Sequence, residues 1–232
     1  GIAIKPESEY ANCPMKTDMY GGAIIAGAMM AAAALKLPVN LVGLIGCAEN
    51  LPAPGAINPH DVIEIYGGRT IEVAHTDMEG RFIMAELMQY GIDRADPAAI
   101  INAGTLSYGA VSALGETAGC YMTNNSDMAR VISESASTAR ELMSYFPMDD
   151  DLDDFLHSEV ADYQIQNFPV ADTVIAGKFL EKFCNDRPWA YFDLGGVAWV
   201  NRDKTFYRGR HATGIGLRTI FHYLQHKALY TH

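Results

Sequence analysis

From Tyr20 to Lys36 the chain is an almost unbroken run of small apolar residues and helix formers, and Pro38 closes it. This pattern predicts a helix. Its apolar residues go nearly all round, which predicts burial on most sides. Val39 to Gly46 is a continuous apolar run of strand length, as in a parallel strand covered on both faces. Val62 to Tyr66 and Thr70 to Ala74 alternate around Gly67 and Gly68, the pattern of a hairpin with a two-residue turn. Phe82 to Tyr90 reads as a helix with Ile83, Leu87 and Tyr90 on one face. Ala98 to Ala103 is another buried strand. Asp127 to Tyr145 reads as an amphipathic helix with Ser126 as N-cap. The acidic run Asp149 to Asp154 reads as a solvated loop that helps to start a helix at Phe155 and Leu156. Thr173 to Phe183 is helical, Trp189 to Leu194 is a buried strand, and Ile215 to His226 is a closing helix.

Helices that alternate with apolar strands predict an α/β fold. The expectation is one domain over residues 1–232, with a mostly parallel (mixed) sheet flanked by helices on both faces. In such sheets, sites form at the carboxyl ends of strands. The 232 residues are 49% apolar, enough for a sizeable core. A net charge of −11 argues against nucleic acid as a partner and against an anionic membrane surface. No apolar run is long enough to span a bilayer. Cys13, Cys47, Cys120 and Cys184 form no C-x-x-C pair and read as reduced, mostly buried thiols of a cytoplasmic protein.

The chemistry concentrates in His75-Thr-Asp-Met-Glu-Gly-Arg81. In an extended segment Asp77, Glu79 and Arg81 share one face and Met78 points to the other. Two adjacent anions are costly unless a cation sits between them, and a divalent metal is one solution. A guanidinium on the same face would hold an anion beside that metal. Elsewhere the signals are weak. His222 and His226 lack the glutamate of an H-E-x-x-H site and read as exposed helix residues. Gly214 to Gly216 reads as a tight turn, and no G-x-S-x-G elbow exists. By themselves, Lys5 reads as a strand-end surface residue and Asp18 as an N-cap.

The seven-residue segment resembles Asn-Thr-Asp-Ala-Glu-Gly-Arg, the signature of the leucine aminopeptidase (cytosol aminopeptidase) family. His75 and Met78 are the departures. Gly1-Ile-Ala-Ile-Lys5, Met15-Lys-Thr-Asp18-Met19, Cys47-Ala-Glu-Asn50, Ile101-Asn-Ala-Gly-Thr105-Leu106 and Trp189-Ala-Tyr-Phe-Asp193 resemble further family segments in the same order. The resemblance covers nearly the whole chain and implies a zinc-aminopeptidase-like catalytic domain. Enzymes of this family use two divalent ions, usually zinc, with manganese or magnesium tolerated, to remove N-terminal residues such as leucine from peptides. Carried onto this chain, Asp18, Asp77 and Glu79 would be metal ligands. Lys5 would polarise the scissile carbonyl, and Arg81 would bind a carbonate-like anion such as bicarbonate. Lys5, Asp18, Thr105 and Leu106 would contact the substrate. The resemblance also implies a homo-oligomer, a hexamer in the family.

Two departures matter. The family carries a metal-binding Lys and a bridging Asp in a Gly-Lys-Gly-x-x-Phe-Asp-Ser-Gly segment that would precede Gly1. The expectation is therefore that this chain is part of a longer polypeptide that includes the family's N-terminal domain and first catalytic-domain strands. In addition, Tyr108 stands where the family has a cleft glycine, so it could crowd the substrate. An inactive family member that acts as an assembly subunit is the alternative expectation.

Overall fold

A computed structural model describes residues 15–48, 53–165, 170–200, 203 and 211–230. Lys5 and Cys13, and with them the Gly1–Lys5 segment, lie outside the described residues.

The central sheet is built from β3 (Ile100–Gly104), β7 (Trp189–Asp193), β4 (Gly119–Thr123) and β5 (Met143–Tyr145), in that spatial order. The β3/β7 and β4/β5 ladders are parallel and the β7/β4 ladder is antiparallel. The sheet is mixed, as expected. Its faces can be read from the alternation of side chains along each strand. On one face Cys120, Met122, Trp189 and Tyr191 pack against α2 (Glu79–Ala95), α3 (Gly109–Leu114) and α5 (Asp172–Glu181). On the other, Ala103, Tyr121, Ala190 and Phe192 pack against α1 (Tyr20–Ala34), α4 (Ser126–Ala139) and α6 (Leu217–Tyr230). Helices thus cover both faces, in three layers. A second sheet, β1 (Asp61–Glu64), β2 (Thr70–Val73) and β6 (Tyr163–Ile165), adds Ile71, Val73 and Ile165 to the first of these cores. A short pair, β8 (Trp199–Val200) and β9 (His211–Ala212), completes the described strands.

Several expectations change. Helix α1 is not buried all round: Tyr20, Ile24, Ala28 and Ala32 form one stripe at a spacing of four, and Met30 is exposed. Its tight side is at Gly21, where a Cβ would collide with the carbonyl of Ala103 in β3. Val39 to Gly46 forms no ladder with any described strand, and Val42 is 69% exposed. The run lies against helices instead, with Leu44 near Gly91 and Ile45 near Gly22. Those contacts cover the run only in part, since Ile45 is also 48% exposed, and periodicity alone does not distinguish such a segment from a paired strand. The hairpin is present, but its turn is longer than two residues: Ile65 N–H donates to the Arg69 carbonyl and Gly68 N–H to that of Ile65, both at 3.0 Å. The helix after Asn125 stops at Ala139. Arg140 takes a left-handed conformation there, and the chain turns into β5. Its cap is Asn125, not Ser126; the Asn125 side chain accepts from Met128 N–H at 2.9 Å. The acidic run is a 3-10 turn, Asp150–Leu156, and more than a solvated loop. Asp150 and Asp153 hold the buried Lys178 at 2.9 and 3.3 Å. Burial works against the Lys178 charge, but Asp150, Glu181 and Asp153 outweigh it and hold its pKa above the ordinary range. Among the cysteines, Cys120 and Cys184 are buried, whereas Cys47 is exposed; none of these three is in a disulfide.

Candidate active site

At the carboxyl end of β3, Asp18, Thr105, Leu106 and the first turn of α2 come together. Asp18 sits in a 3-10 turn, Met15–Met19, that leads directly into α1. The close approach of Gly21 to Ala103 sets that turn beside the end of β3. Thr105, one residue past the strand, donates its hydroxyl to the Asp18 carboxylate. Leu106 lies over the first turn of α2, where a Cβ on Gly80 would come within 2.6 Å of its side chain. Two segments far apart in the chain, Asp18 and the Asp77–Arg81 run, therefore flank Thr105 and Leu106.

The run itself is not extended. Thr76–Met78 is a 3-10 turn, capped by His75, whose Nδ1 accepts from Asp77 N–H at 3.2 Å, and Glu79 opens α2. On a helix, residues two apart point in nearly opposite directions. Glu79 and Arg81 consequently diverge, and the shared face expected for Asp77, Glu79 and Arg81 does not form. Arg81 turns inward, is 1% exposed, and pairs with Asp172 at the start of α5. The buried residues of α2 are Arg81, Phe82, Ala85 and Met88, on nearly the opposite side of the helix from the expected Ile83, Leu87 and Tyr90. Ile83 and Leu87 lie instead beside Gly46, in the apolar run of residues 39–46.

Behind Thr105 and Leu106 lies a polar network that sequence reasoning missed. Tyr191 hydroxyl is 3.3 Å from Leu106 N–H and donates to Asp193 at 3.0 Å. Ser107 donates to Asp193 at 2.9 Å and shares a 2.5 Å hydrogen bond with Thr173, the neighbour of Asp172. Gly195 N–H adds a further donor to Asp193 at 3.1 Å. Asp193 is fully buried, and burial pushes its pKa up from 3.8 to about 6. The nearby Asp172 charge pushes in the same direction, against the hydrogen bonds from Gly195, Ser107 and Tyr191. Strand alternation carried a signal for Asp193, since it follows Trp189 and Tyr191 on one face. No comparable signal marked Asp172, which reads as an ordinary first-turn acid.

Tyr108 is 67% exposed at the N-terminus of α3, with φ −87°. The tight glycine is the next residue: a Cβ on Gly109 would sit 2.6 Å from Thr173 Oγ1 and 3.3 Å from its backbone nitrogen. Tyr108 is therefore turned to the exterior, and Gly109 is where α3 and α5 touch.

Asp18, Asp77 and Glu79 offer carboxylate oxygens, hard donors suited to magnesium, manganese or zinc. Among the described residues, no group of three or more His, Cys, Asp or Glu side chains is gathered to hold a metal ion. The donor chemistry of these carboxylates fits a divalent ion, but the described residues form no closed cage around one. A carbonate-like anion fits less well, because the Arg81 guanidinium is buried and already paired with Asp172.

The catalytic-domain model of the cytosol aminopeptidase family matches residues 1–221. The chain belongs to the cytosol aminopeptidase family. The probable cytosol aminopeptidase of Syntrophotalea carbinolica is 40% identical over 225 residues, which are 97% of this chain and 44% of that protein. That of Geobacter sulfurreducens is 36% identical and covers 97% of this chain and 45% of its own length. The chain thus spans less than half the length of these relatives. Among solved structures of similar fold, the bottromycin maturation enzyme BotP in complex with Mn superposes with a TM-score of 0.88 at 31% identity, over 97% of this chain and 50% of that one. A mutant of tomato leucine aminopeptidase superposes with a TM-score of 0.81 at 27% identity, over 91% and 41%. The family membership and fold expected from the sequence are thereby shown. No helix among the described residues is long and apolar enough to cross a membrane.

Proposed function

We propose that this chain is most of the catalytic domain of a metal-dependent aminopeptidase that removes leucine-like N-terminal residues from peptides. The observation that carries the reading is that adjacent residues at the carboxyl end of β3 touch both segments, Thr105 bonding Asp18 and Leu106 lying against Gly80 of the Asp77–Arg81 run. In this reading Asp18, Asp77 and Glu79 supply ligands to two divalent ions, zinc first, with manganese or magnesium as substitutes. BotP, a similar protein solved in complex with Mn, supports the class of cofactor. Bound divalent ions would activate water and stabilise negative charge on the substrate carbonyl. Thr105 orients the Asp18 carboxylate through its hydroxyl, and Leu106 forms an apolar wall for the substrate side chain. Lys5 supplies a second positive charge at the scissile carbonyl. The protein is a cytoplasmic homo-oligomer, a hexamer, with peptides as its substrates.

The test is release of N-terminal leucine from a peptide by the full-length protein, with and without a chelator. Chelator-sensitive release is the expected result, and release that persists after complete removal of metal contradicts it. The second reading, a non-catalytic assembly subunit, rests on Tyr108 in place of the family's cleft glycine. Release that appears only in the Tyr108→Gly protein would favour it.

A further inference from the structure

The sequence pattern offers Arg81 to a diffusible carbonate-like anion, but the structure gives it a carboxylate of its own. Arg81 and Asp172 are paired, with side chains 1% and 10% exposed. Asp172 lies in the first turn of α5, where the helix dipole favours a negative charge. The residue before it, Ala171, is held at φ +52°, a left-handed conformation that a residue with a Cβ seldom adopts. Such strain persists only where the surroundings hold it in place, and here it opens the helix with Asp172 against Arg81. The residue after it, Thr173, is tied to Ser107, next to Thr105 and Leu106. Asp172 is thus braced on both sides, directly behind the candidate cleft.

We propose that Asp172 is the resident anion of Arg81, a positioning residue that takes the place of bicarbonate in this protein. A tethered carboxylate is present at a high effective concentration and loses little freedom when it pairs. A diffusible anion would have to displace it from a buried guanidinium. If the anion bound alongside instead, it would join Asp172 and Asp193 as a third neighbouring acid, which like-charge repulsion opposes. The inference rests on the aminopeptidase reading for its kinetic consequences, whereas its binding consequence stands alone.

The experiment uses the full-length protein in carbonate-free buffer at constant pH. Calorimetric titration of the wild type with bicarbonate should show no saturable binding, and its peptide release should be the same with and without bicarbonate. Asp172→Gly should lower kcat by about tenfold to a hundredfold, with KM little changed. Bicarbonate or formate should then bind that variant saturably and restore its kcat, a rescue that a purely structural defect would not show. Saturable bicarbonate binding to the wild type, stimulation of the wild type by bicarbonate, or a folded Asp172→Gly protein with full anion-free activity would each overturn the proposal. If Asp172→Gly does not fold, the wild-type titration still decides, and the near-isosteric Asp172→Asn should show the same loss of kcat. If the wild type releases no N-terminal residue at all, the proposed function fails, and the titration alone decides the anion question.

Discussion

Glu141 and Asp193 are both buried carboxylates, one on each side of the central sheet, and they are satisfied in opposite ways. Glu141 accepts from Gly216 N–H and Thr219 N–H, each at 3.0 Å, from the Thr219 hydroxyl at 2.7 Å and from Arg218 Nε at 3.1 Å. It closes the N-terminal turn of α6 with backbone donors and a cation, the partners a carboxylate prefers. Asp193 has only neutral donors, Ser107, Tyr191 and Gly195, and the charge near it is another acid, Asp172. The first arrangement stabilises a helix end. The second places an acid that gives up its proton near pH 6 behind the candidate cleft. Both carboxylates are buried, and they differ in whether a cation is among the donors that offset that burial.

The comparison can be broken at several points. The largest effect is expected at Glu141. Glu141→Ala leaves buried helix-terminal donors unmet and should cost about 4 kcal/mol in denaturant unfolding, while kcat per folded molecule stays unchanged. A stability loss within error would mean that those hydrogen bonds contribute little. Asp193→Asn comes next and sharpens the contrast through pH. The folded-state pKa of Asp193 is raised to about 6 from 3.8. Between those values the native state holds more protons than the unfolded chain, so this contribution is full below about pH 4 and is lost as pH rises through 6. The shift corresponds to about 3 kcal/mol. The stability difference between wild type and Asp193→Asn should therefore change by that order between pH 4 and 6, in the direction of a relatively weaker wild type at the higher pH. Parallel stability curves would show that Asp193 titrates normally. Gly109→Ala should cost about 1–3 kcal/mol by driving a methyl into Thr173. The smallest effect is next door: Tyr108→Gly, at an exposed position, should change stability by about 0.5 kcal/mol or less. Equal effects at 108 and 109 would contradict the packing described for α3 and α5.

The layers of the fold were largely legible in the sequence, because long apolar runs and their punctuation mark α1, α5, α6, β3 and β7. The hydrophobic pattern does not mark β4, β5 or β6. β5 spans Met143–Tyr145, within the end of an apparently continuous helical pattern, and only the left-handed Arg140 separates the two. The geometry of the candidate site is the part the sequence pattern misses. The spacing of Asp77, Glu79 and Arg81 that aligns them on a strand separates them on a helix. Which period applies was set by His75, which caps the 3-10 turn and starts the helix early. The partners of Arg81 and Leu106, namely Asp172 and Tyr191, come from segments roughly ninety residues away. Local patterns hold no information about such pairings.

The central claim is that Asp18, Asp77 and Glu79 serve a metal-dependent peptidase. The most direct test is elemental analysis of tightly bound divalent metal per chain in the full-length wild type and in Glu79→Gln, alongside release of N-terminal leucine by the same samples. The account predicts two ions per chain and turnover in the wild type, with metal diminished and release abolished in a variant that remains folded. Unchanged metal content and unchanged release in Glu79→Gln would contradict it.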